Sequence, residues 1–501
     1  MDYAVLMGMI GCEEMRALEE EVFRAGISAE SLMDKAGRRL GEALGELYPG
    51  GGTAVAYVGR GNNGGDALVA LRVLRAAGWH IVVRCPFSPM ELGLLPRRKL
   101  RDLGQVELRE GALDPASYPG ALLLIDGLLG IGARGPLREP LCGLAAEMNH
   151  LRRNAGAQVV AVDIPSGLNG DNGQPGEGAV QADLTATIGI PKKGLVEDRA
   201  LDYVGRIAVI PLEELAGATN GDRLITGRDL CAHFPPRNFG THKGQAGRVG
   251  IVAGSRGMLG AAGLTALGAL RGGAGLVTIY VLEENYPLMV SAGPPLEAMV
   301  RAVSSYREIA GDREDAMVIG PGLGNPGELD RAALLDLLAG SDIPLVVDAD
   351  ALNLLARVGL ADRTHSQMVL TPHPGEMQRL FPEGTDLSRA ERARQFVSLF
   401  PCTLVYKGAR TIVTAQGEDL HYNVTGNPGM ATGGQGDVLS GLLGALLAGG
   451  LHPLDAARAG VWLAGRSAEL ALNGGESPES LMAGDTAGFL GEAFSALRRG
   501  W

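Results

Sequence analysis

Short apolar runs alternate with helical stretches along nearly the whole chain, and that alternation limits the fold more than any other feature of the sequence. In the first part the runs cover residues 54–58, 80–83, 121–125 and 159–162, each about one strand long, with helical stretches between the first pairs. Consecutive antiparallel strands need only a tight turn, whereas parallel strands need a long crossover, so this spacing predicts parallel βαβ units in a doubly wound sheet. A second series, at 248–252, 276–280, 316–319, 345–347, 368–370 and 403–406, predicts a second α/β domain. Ahead of the first strand, Met15, Leu18, Val22, Leu32, Met33, Ala36 and Leu40 recur at helical spacing with a break at Gly26-Ile27-Ser28, which predicts two helices. Between the two series, the stretch from Leu215 to Asp222 loses its apolar periodicity and gathers turn formers. The boundary is expected there, with domains at 1–215 and 222–501.

A chain of 501 residues is long for a single core, which agrees with two domains. Its 76 glycines and low aromatic content fit tight strand-to-helix turns better than a sandwich with an aromatic core. A formal net charge of -12 argues against a nucleic-acid partner, because such affinity comes from Lys and Arg displacing counterions. Small anions are compatible with that charge, since backbone donors and local cations such as Lys243, Arg248 and Lys407 can hold them. The cysteines, Cys12, Cys85, Cys142, Cys231 and Cys402, form no Cys-x-x-Cys pair, which speaks against a zinc site and for free thiols in a reducing cytoplasm. The start of the chain carries no basic leader and no run reaches bilayer-spanning length, so a cytoplasmic protein with no membrane partner is expected.

The most distinctive local chemistry lies at Gly429-Met430-Ala431-Thr432-Gly433-Gly434-Gln435-Gly436-Asp437, directly before the apolar run Val438-Leu439-Ser440-Gly441-Leu442-Leu443. Closely spaced glycines let several backbone N–H groups converge, and a helix starting there adds its positive end, so phosphate oxygens are the natural occupant. A carboxylate beside a phosphate is unfavourable unless it takes a proton from a group about to be phosphorylated. Asp437 is accordingly the candidate base and Gly433 to Gly436 the cradle, with Gly436 facing the nucleotide phosphate. No Walker A pattern occurs, which disfavours a P-loop enzyme. Asp348 and Asp350 end another strand run, where they either meet the magnesium of a nucleotide or cap the next helix.

In the first part, Gly59-Arg60-Gly61-Asn62-Asn63-Gly64 follows a strand run with GxGxxG spacing, but the acid expected about 20 residues on is missing. The 80–83 run ends in Arg84, which at best suits a 2′-phosphate, and the glycine loop ends in Asp66, a carboxylate where a pyrophosphate should sit. A polar ligand site with a nearby cation is therefore expected rather than a hydride-transfer pocket. Asp126 and Asp163 end two further runs, at strand carboxyl ends where doubly wound folds place ligands; capping of the following turn is the alternative use of each.

Several motifs of the second half carry a family resemblance: His242-Lys243-Gly244, Gly247-Arg248-Val249, Val252-Ala253-Gly254-Ser255, Gly260-Ala261-Ala262, Gly320-Pro321-Gly322-Leu323-Gly324, Thr371-Pro372-His373-Pro374-Gly375-Glu376 and Lys407-Gly408. With the glycine cradle, they resemble those of the ADP-dependent NAD(P)H-hydrate dehydratases, which are ribokinase-like proteins. The first half, with Gly61-Asn62-Asn63-Gly64-Gly65-Asp66 and Val162-Asp163-Ile164-Pro165-Ser166-Gly167, resembles the NAD(P)H-hydrate epimerases. The resemblance spans nearly the whole chain and implies a Rossmann-like doubly wound sheet followed by a ribokinase-like α/β domain, an isomerase fused to a hydro-lyase. From the epimerases it implies a potassium ion on Asn63, Asp126 and Ser166, whose oxygens suit a hard cation. It also implies a hydrate site formed by Asn62, Asn63, Gly64, Gly65 and Asp66, by Gly130, Ile131, Gly132, Ala133, Arg134, Gly135 and Pro136, and by Asp163, the proton-handling residue helped by Lys192. The chain departs from the family pattern at Ala67, usually Gly, and at Ile131, usually Thr, so a tighter backbone approach is expected there.

From the dehydratases, the resemblance implies a nucleotide held by Lys407, Gly408, Ala409, Arg410 and Thr411 and a hydrate touched by Ala261, Gly324 or its neighbour Gly322, His373 and Asp437. His373, set between two prolines, is otherwise a loop histidine satisfied by backbone. A hydrated reduced nicotinamide carries a hydroxyl on the ring carbon beside nitrogen, and hydroxide leaves poorly. Phosphorylating that oxygen lets it depart as phosphate while the nitrogen lone pair restores the conjugated ring. The resemblance thus implies repair of hydrated NADH and NADPH, with ADP as co-substrate, Mg2+ accompanying the nucleotide, AMP and phosphate as products, and assembly as a homo-oligomer. The competing reading is a ribokinase-like small-molecule kinase with an accessory N-terminal domain, because both share a glycine-rich loop followed by Asp.

Overall fold

The computed structural model describes residues 8–132, 135–215, 221–311 and 313–500, and the chain divides into two compact units, 5–221 and 222–501. The first unit is built on β1 (Gly52–Val58), β2 (His80–Arg84), β3 (Glu107–Arg109), β4 (Ala121–Gly127), β5 (Gln158–Val162), β6 (Leu184–Ile188) and β7 (Arg206–Ile210). They form one sheet in the order 3-2-1-4-5-6-7, with every neighbouring pair parallel. This is the expected doubly wound α/β sheet. β1, β5 and β6 are buried almost throughout, as helices on both faces require, whereas β3 is exposed at the edge. The strand order reverses between β1 and β4, and ligands of such sheets bind outside the carboxyl ends at that point.

Two helices precede the sheet, α1 (Cys12–Arg24) and α2 (Ala29–Leu47), separated at the expected break; the Ser28 hydroxyl accepts from Ser31 N at 3.1 Å and caps α2. One local expectation changes. Residues 62–66 are not a loop but the opening of α3 (Asn62–Ala76), which starts directly after Gly61. A helix that begins this close to the end of β1 aims its unpaired N–H groups at the crevice, so the segment keeps a ligand-facing position.

The second unit contains β8 (Arg223–Ile225), β9 (Arg248–Val252), β10 (Leu276–Leu282), β11 (Met299–Val303), β12 (Ala316–Ile319), β13 (Leu345–Val347), β14 (Met368–Leu370), β15 (Thr403–Tyr406), β16 (Ile412–Ala415) and β17 (His421–Asn423). The sheet order is 11-10-9-12-13-14-15-16-17-8, parallel from β11 to β15 and antiparallel where β16 joins β15 and β17. All six strands expected from the sequence are present, and the four additions lie toward the two edges. Against the sheet packs a helix at Gln435–Ala448 that is buried from Val438 to Leu447. It meets the Leu259–Arg271 helix almost backbone to backbone: a Cβ on Gly441 would lie 1.9 Å from the Thr265 carbonyl oxygen, and one on Gly268 would lie 2.2 Å from that of Val438. Glycine is required at both positions, and the start of the first helix lies beside Leu264 in the second, where a Cβ on Gly434 would stand 2.5 Å from its Cδ1. No helix among the described residues is long and apolar enough to cross a membrane.

Candidate active sites

In the first unit, Asp126 closes β4 with none of its surface exposed. Its Oδ2 accepts from Ser166 N at 2.7 Å, and its Oδ1 accepts from Ser166 Oγ at 2.7 Å and from Leu128 N at 3.2 Å. Leu129 N donates to Ser166 Oγ at 2.9 Å, and Asn63 Nδ2 donates to the Leu129 carbonyl at 2.9 Å. Asn63, Asp126 and Ser166 therefore meet around one turn, and Asp126 also serves that turn as a cap. Burial pushes the Asp126 carboxyl up to about 6 against the hydrogen bonds of Ser166 and Leu128, and no cationic side chain contributes. Gly130 leaves space beside the Asn63 amide, since a Cβ there would sit 3.3 Å from Asn63 Oδ1. Asn63, Asp126 and Ser166 thus bring side-chain oxygens together around a buried carboxylate that has no cationic side chain beside it.

Asp163 follows β5 with φ of 66°, a left-handed backbone that Asp adopts more readily than most residues. Its Oδ1 accepts from Ile188 N at 3.0 Å and from the ammonium of Lys192, which is 1% exposed and also donates to the Ile188 carbonyl at 3.0 Å. Burial, then the charges of Asp163 and Glu19, hold the Asp66 carboxyl well above the usual carboxylate range. Glu19 and Arg16, both on α1, belong to this group and were not singled out in the sequence; Arg16 donates to the Ile131 carbonyl. Gly130 lies against Asn63, the Ile131 carbonyl is held by Arg16, and Gly132, Gly135 and Pro136 follow in the chain; Ala133 and Arg134 lie outside the described residues. The two departures from the family pattern are accommodated. Ala67 packs against Gly127, where any Cβ would approach the Ala67 methyl to 2.7 Å, and the Ile131 side chain packs on the apolar core.

Arg84 is not available for a 2′-phosphate. It is buried, paired to Glu147 at 3.1 Å, and donates to the Arg109 and Glu110 carbonyls at 3.2 and 2.6 Å. A guanidinium at the end of an inner strand must be neutralised, and the neighbouring strand and helix supply the partners.

The second site gathers at the carboxyl ends of β9 and β12 to β15. Asp437 lies in the first turn of the Gln435–Ala448 helix, after Gly434 with φ of 89°. Burial first, then the charge of Asp348, raise its carboxyl from 3.8 to about 7, against the ammonium of Lys407. Lys407 Nζ is 2.8 Å from Asp348 Oδ1 and 4.0 Å from Glu376 Oε2, and Ser440 Oγ donates to Asp348 Oδ2 at 2.8 Å. A Cβ on Gly436 would stand 3.5 Å from Lys407 Nζ and 3.7 Å from Asp348 Oδ2, so the glycine keeps the space over the ion pair open. Asp348 occupies the N-cap position of the Ala349–Val358 helix without making a side-chain cap bond, and Asp350 accepts from Gly324 N at 2.7 Å. Neither carboxylate caps the helix.

Lys407 N donates to the Pro372 carbonyl at 2.9 Å, which draws the 407–411 loop to the His373 segment. Arg389 spans that loop with bonds to the carbonyls of Tyr406, Lys407 and Arg410 at 3.2 to 3.3 Å, a support not foreseen from sequence. Thr411 Oγ1 donates to the Gly408 carbonyl at 2.9 Å; Gly408 and Ala409 are exposed, while the Arg410 guanidinium is buried and lowered by that burial to about 10. His373 caps the Pro374–Leu380 helix, its Nδ1 accepting from Gly375 N at 3.0 Å and Glu376 N at 3.3 Å. The backbone thus satisfies one edge of the ring, and Nε2 remains 3.5 Å from Glu376 Oε1. Gly322 and Gly324 adopt φ of 59° and 73°; a Cβ on the first would lie 2.9 Å from the Ala261 methyl, and on the second 2.8 Å from Ser255 Oγ. Lys243 and Arg248 do not join this group. Arg248 opens β9, and Lys243 lies beside Gly275, which precedes β10, so both sit at the opposite end of the sheet from Lys407.

Comparison with known proteins covers both units. Residues 29–194 match the family described as YjeF-related protein N-terminus, and residues 249–481 match NAD(P)H-hydrate dehydratase. A bifunctional NAD(P)H-hydrate repair enzyme of Gloeobacter violaceus is 38% identical over 495 residues, 93% of this chain and 95% of its own. The one from Escherichia coli is 35% identical over 455 residues, 89% of this chain and 86% of its own. Among solved structures, an ADP/ATP-dependent NAD(P)H-hydrate dehydratase from Bacillus subtilis, co-crystallised with ATP and Mg2+, is 32% identical with a TM-score of 0.48, covering 56% of this chain and 100% of that one. With both halves matched and relatives aligned over most of their length, this chain belongs to the family of bifunctional NAD(P)H-hydrate repair enzymes.

Proposed function

We propose that the chain repairs hydrated NADH and NADPH in two steps, one in each unit: the first interconverts the R and S hydrates, and the second phosphorylates the S hydrate from ADP and eliminates phosphate. The observation that carries the second step is a carboxylate poised at about 7, Asp437, at the same helix N-terminus as a glycine cradle. Asp437 takes the proton of the hydrate hydroxyl, the freed oxygen pair attacks the terminal phosphorus of ADP, and AMP departs. The Gly433 to Gly436 backbone and the positive helix end stabilise the charge on the transferring group, joined by Lys407, which Asp348 holds in place. The ring nitrogen's lone pair then expels phosphate, and the neighbouring ring carbon of the resulting iminium loses a proton to water, which restores the dihydronicotinamide. Among the described residues no cluster of three or more His, Cys, Asp or Glu could hold a metal by itself. Magnesium arriving on the nucleotide phosphates would find Asp348 and Glu376, buried beside Lys407, and would neutralise phosphate charge there.

In the first unit, Asp163 handles the proton with Lys192 positioning it, and Asn62 to Asp66 with Gly130 to Pro136 border the hydrate. Potassium would be held by Asn63, Asp126 and Ser166, where it would neutralise a buried carboxylate that has no cation beside it. Incubation of mixed hydrate epimers with ADP tests the reading as a whole. Dihydronicotinamide absorbance should rise, with AMP and phosphate formed one for one. A stable phosphorylated product, or no rise in absorbance, overturns it.

A further inference from the structure

α1 carries five acids, and four of them, Glu13, Glu14, Glu20 and Glu21, are exposed. Glu19 is different. Cys12, Met15 and Val22 form the buried stripe of the helix, and Glu19 falls in line with them, seven residues after Cys12, four after Met15 and three before Val22. Glu19 is half-buried where the four other acids are exposed, so its carboxyl is partly withdrawn from water.

The stripe is fixed over the ligand end of the first sheet. Met15 packs against Gly189, the residue after Ile188, whose N–H binds Asp163; the methionine methyl would lie 3.2 Å from a Cβ on that glycine. Cys12 packs on Gly170, and its backbone N–H donates to Asp171 at 2.6 Å. Ile10 pairs with Lys192 in a parallel bridge, and Arg16, one turn before Glu19, holds the Ile131 carbonyl. Glu19 thus looks toward the Asp163–Lys192 pair and Asp66. Glu19 is half-buried at the edge of that stripe, and its carboxyl meets the charges of Asp163, Lys192 and Arg16 rather than a hydrogen-bond donor among the described residues.

The epimerisation has a use for a second acid. The inverted carbon bears both the hydroxyl and the ring nitrogen, and the simplest route to the other hand is to open and reclose the bond between carbon and nitrogen. We propose that Glu19 is the proton donor of this reaction, acting opposite Asp163; the inference rests on the reading of the first unit as an epimerase. As Asp163 takes the hydroxyl proton, the O–H pair becomes the second bond of an aldehyde. The C–N pair moves onto nitrogen, which receives the proton of Glu19. After rotation about the neighbouring carbon–carbon bond, nitrogen returns its proton to Glu19 and attacks the opposite face, and the oxygen recovers its proton from Asp163. No oxidant or reductant enters. Burial and the charge of Asp163 raise the Glu19 carboxyl above its ordinary range, the direction a donor needs, while Lys192 and Arg16 oppose them.

The test uses the full-length chain, purified R hydrate and no ADP, with the two epimers resolved by chromatography. Glu19→Gln should lower kcat for inversion by roughly 10²-fold or more with KM nearly unchanged, Glu19→Asp should restore part of the rate, and Glu20→Gln should behave as wild type. A Glu19→Gln rate within threefold of wild type overturns the proposal. So does a loss shared equally by the Asp and Gln variants with a raised KM and a lowered melting temperature, since that is a packing defect. If wild type itself fails to invert the hydrate, the epimerase reading fails and this proposal falls with it; if Asp163→Asn inverts it normally, Asp163 is not the opposing base and the proposal is overturned while the epimerase reading stands.

Discussion

Replacing Asp437 by Asn should cost activity and add stability, and the two effects should follow pH in a linked way. The carboxyl is raised from 3.8 to about 7 by burial and by Asp348. Below pH 4 it is protonated in both folded and unfolded chains, and its shift contributes nothing. Between about 4 and 7 the unfolded chain loses the proton while the folded chain keeps it, so stability falls as pH rises; above 7 the folded chain carries the full cost of an ionised carboxylate beside Asp348. At about 1.4 kcal/mol per pKa unit the upper bound is ~4 kcal/mol, which partial exposure to solvent reduces to about 1–2 kcal/mol. Asp437→Asn keeps the shape and removes the charge, so its melting temperature should exceed wild type at pH 8 and equal it at pH 4. The same substitution should slow dehydration of the S hydrate by roughly 10²–10⁴-fold while ADP still binds. Wild-type kcat/KM should also fall about tenfold per pH unit below 7, as the base protonates, and the variant should lack that limb. Thermal melts at the two pH values and initial rates across the range supply the measurements. An equal stability gain at pH 4 and pH 8, or near-normal turnover in the variant, refutes the reasoning.

Asp163→Asn should stop consumption of the R hydrate above its spontaneous rate yet leave S-hydrate repair intact; undiminished R conversion removes Asp163 from the reaction. A fragment from Asp222 onward contains every strand of the ten-stranded sheet and should fold and dehydrate the S hydrate alone, whereas an inactive fragment beside an active full chain shows interdependence. Gly436→Ala puts a methyl at ordinary contact distance from Lys407 and Asp348 and into the space assigned to phosphate, so ADP affinity should fall about tenfold (~1.4 kcal/mol) while stability is unchanged or gains up to ~1 kcal/mol. Calorimetric titration showing unaltered ADP binding would remove Gly436 from the nucleotide site.

The sequence by itself determined the parallel α/β character, because long apolar runs such as β1 and β9 are buried on both faces and must alternate with helices to be covered. It also identified the carboxylates at strand ends and the glycine cradle, since these depend on residue type at a fixed local spacing. The strands β3, β8 and β17 were not visible, because each mixes charged or polar residues into three positions, whereas the equally short β13 and β14 are wholly apolar; their pairing is imposed by the neighbouring strand. β6, Leu184-Thr185-Ala186-Thr187-Ile188, does carry a β-branched signal in its sequence. Tertiary structure alone decided which charges face a ligand. Arg84 and Arg248 look as available in the sequence as Lys407, yet one is paired with Glu147 and the other opens its strand at the far end of the sheet. Helical spacing alone sets Glu19 apart from the four other acids of α1, but that its stripe faces the Asp163–Lys192 pair came only from the fold. Charge depends on distance and on exclusion of water, and both are fixed by residues far apart in the chain.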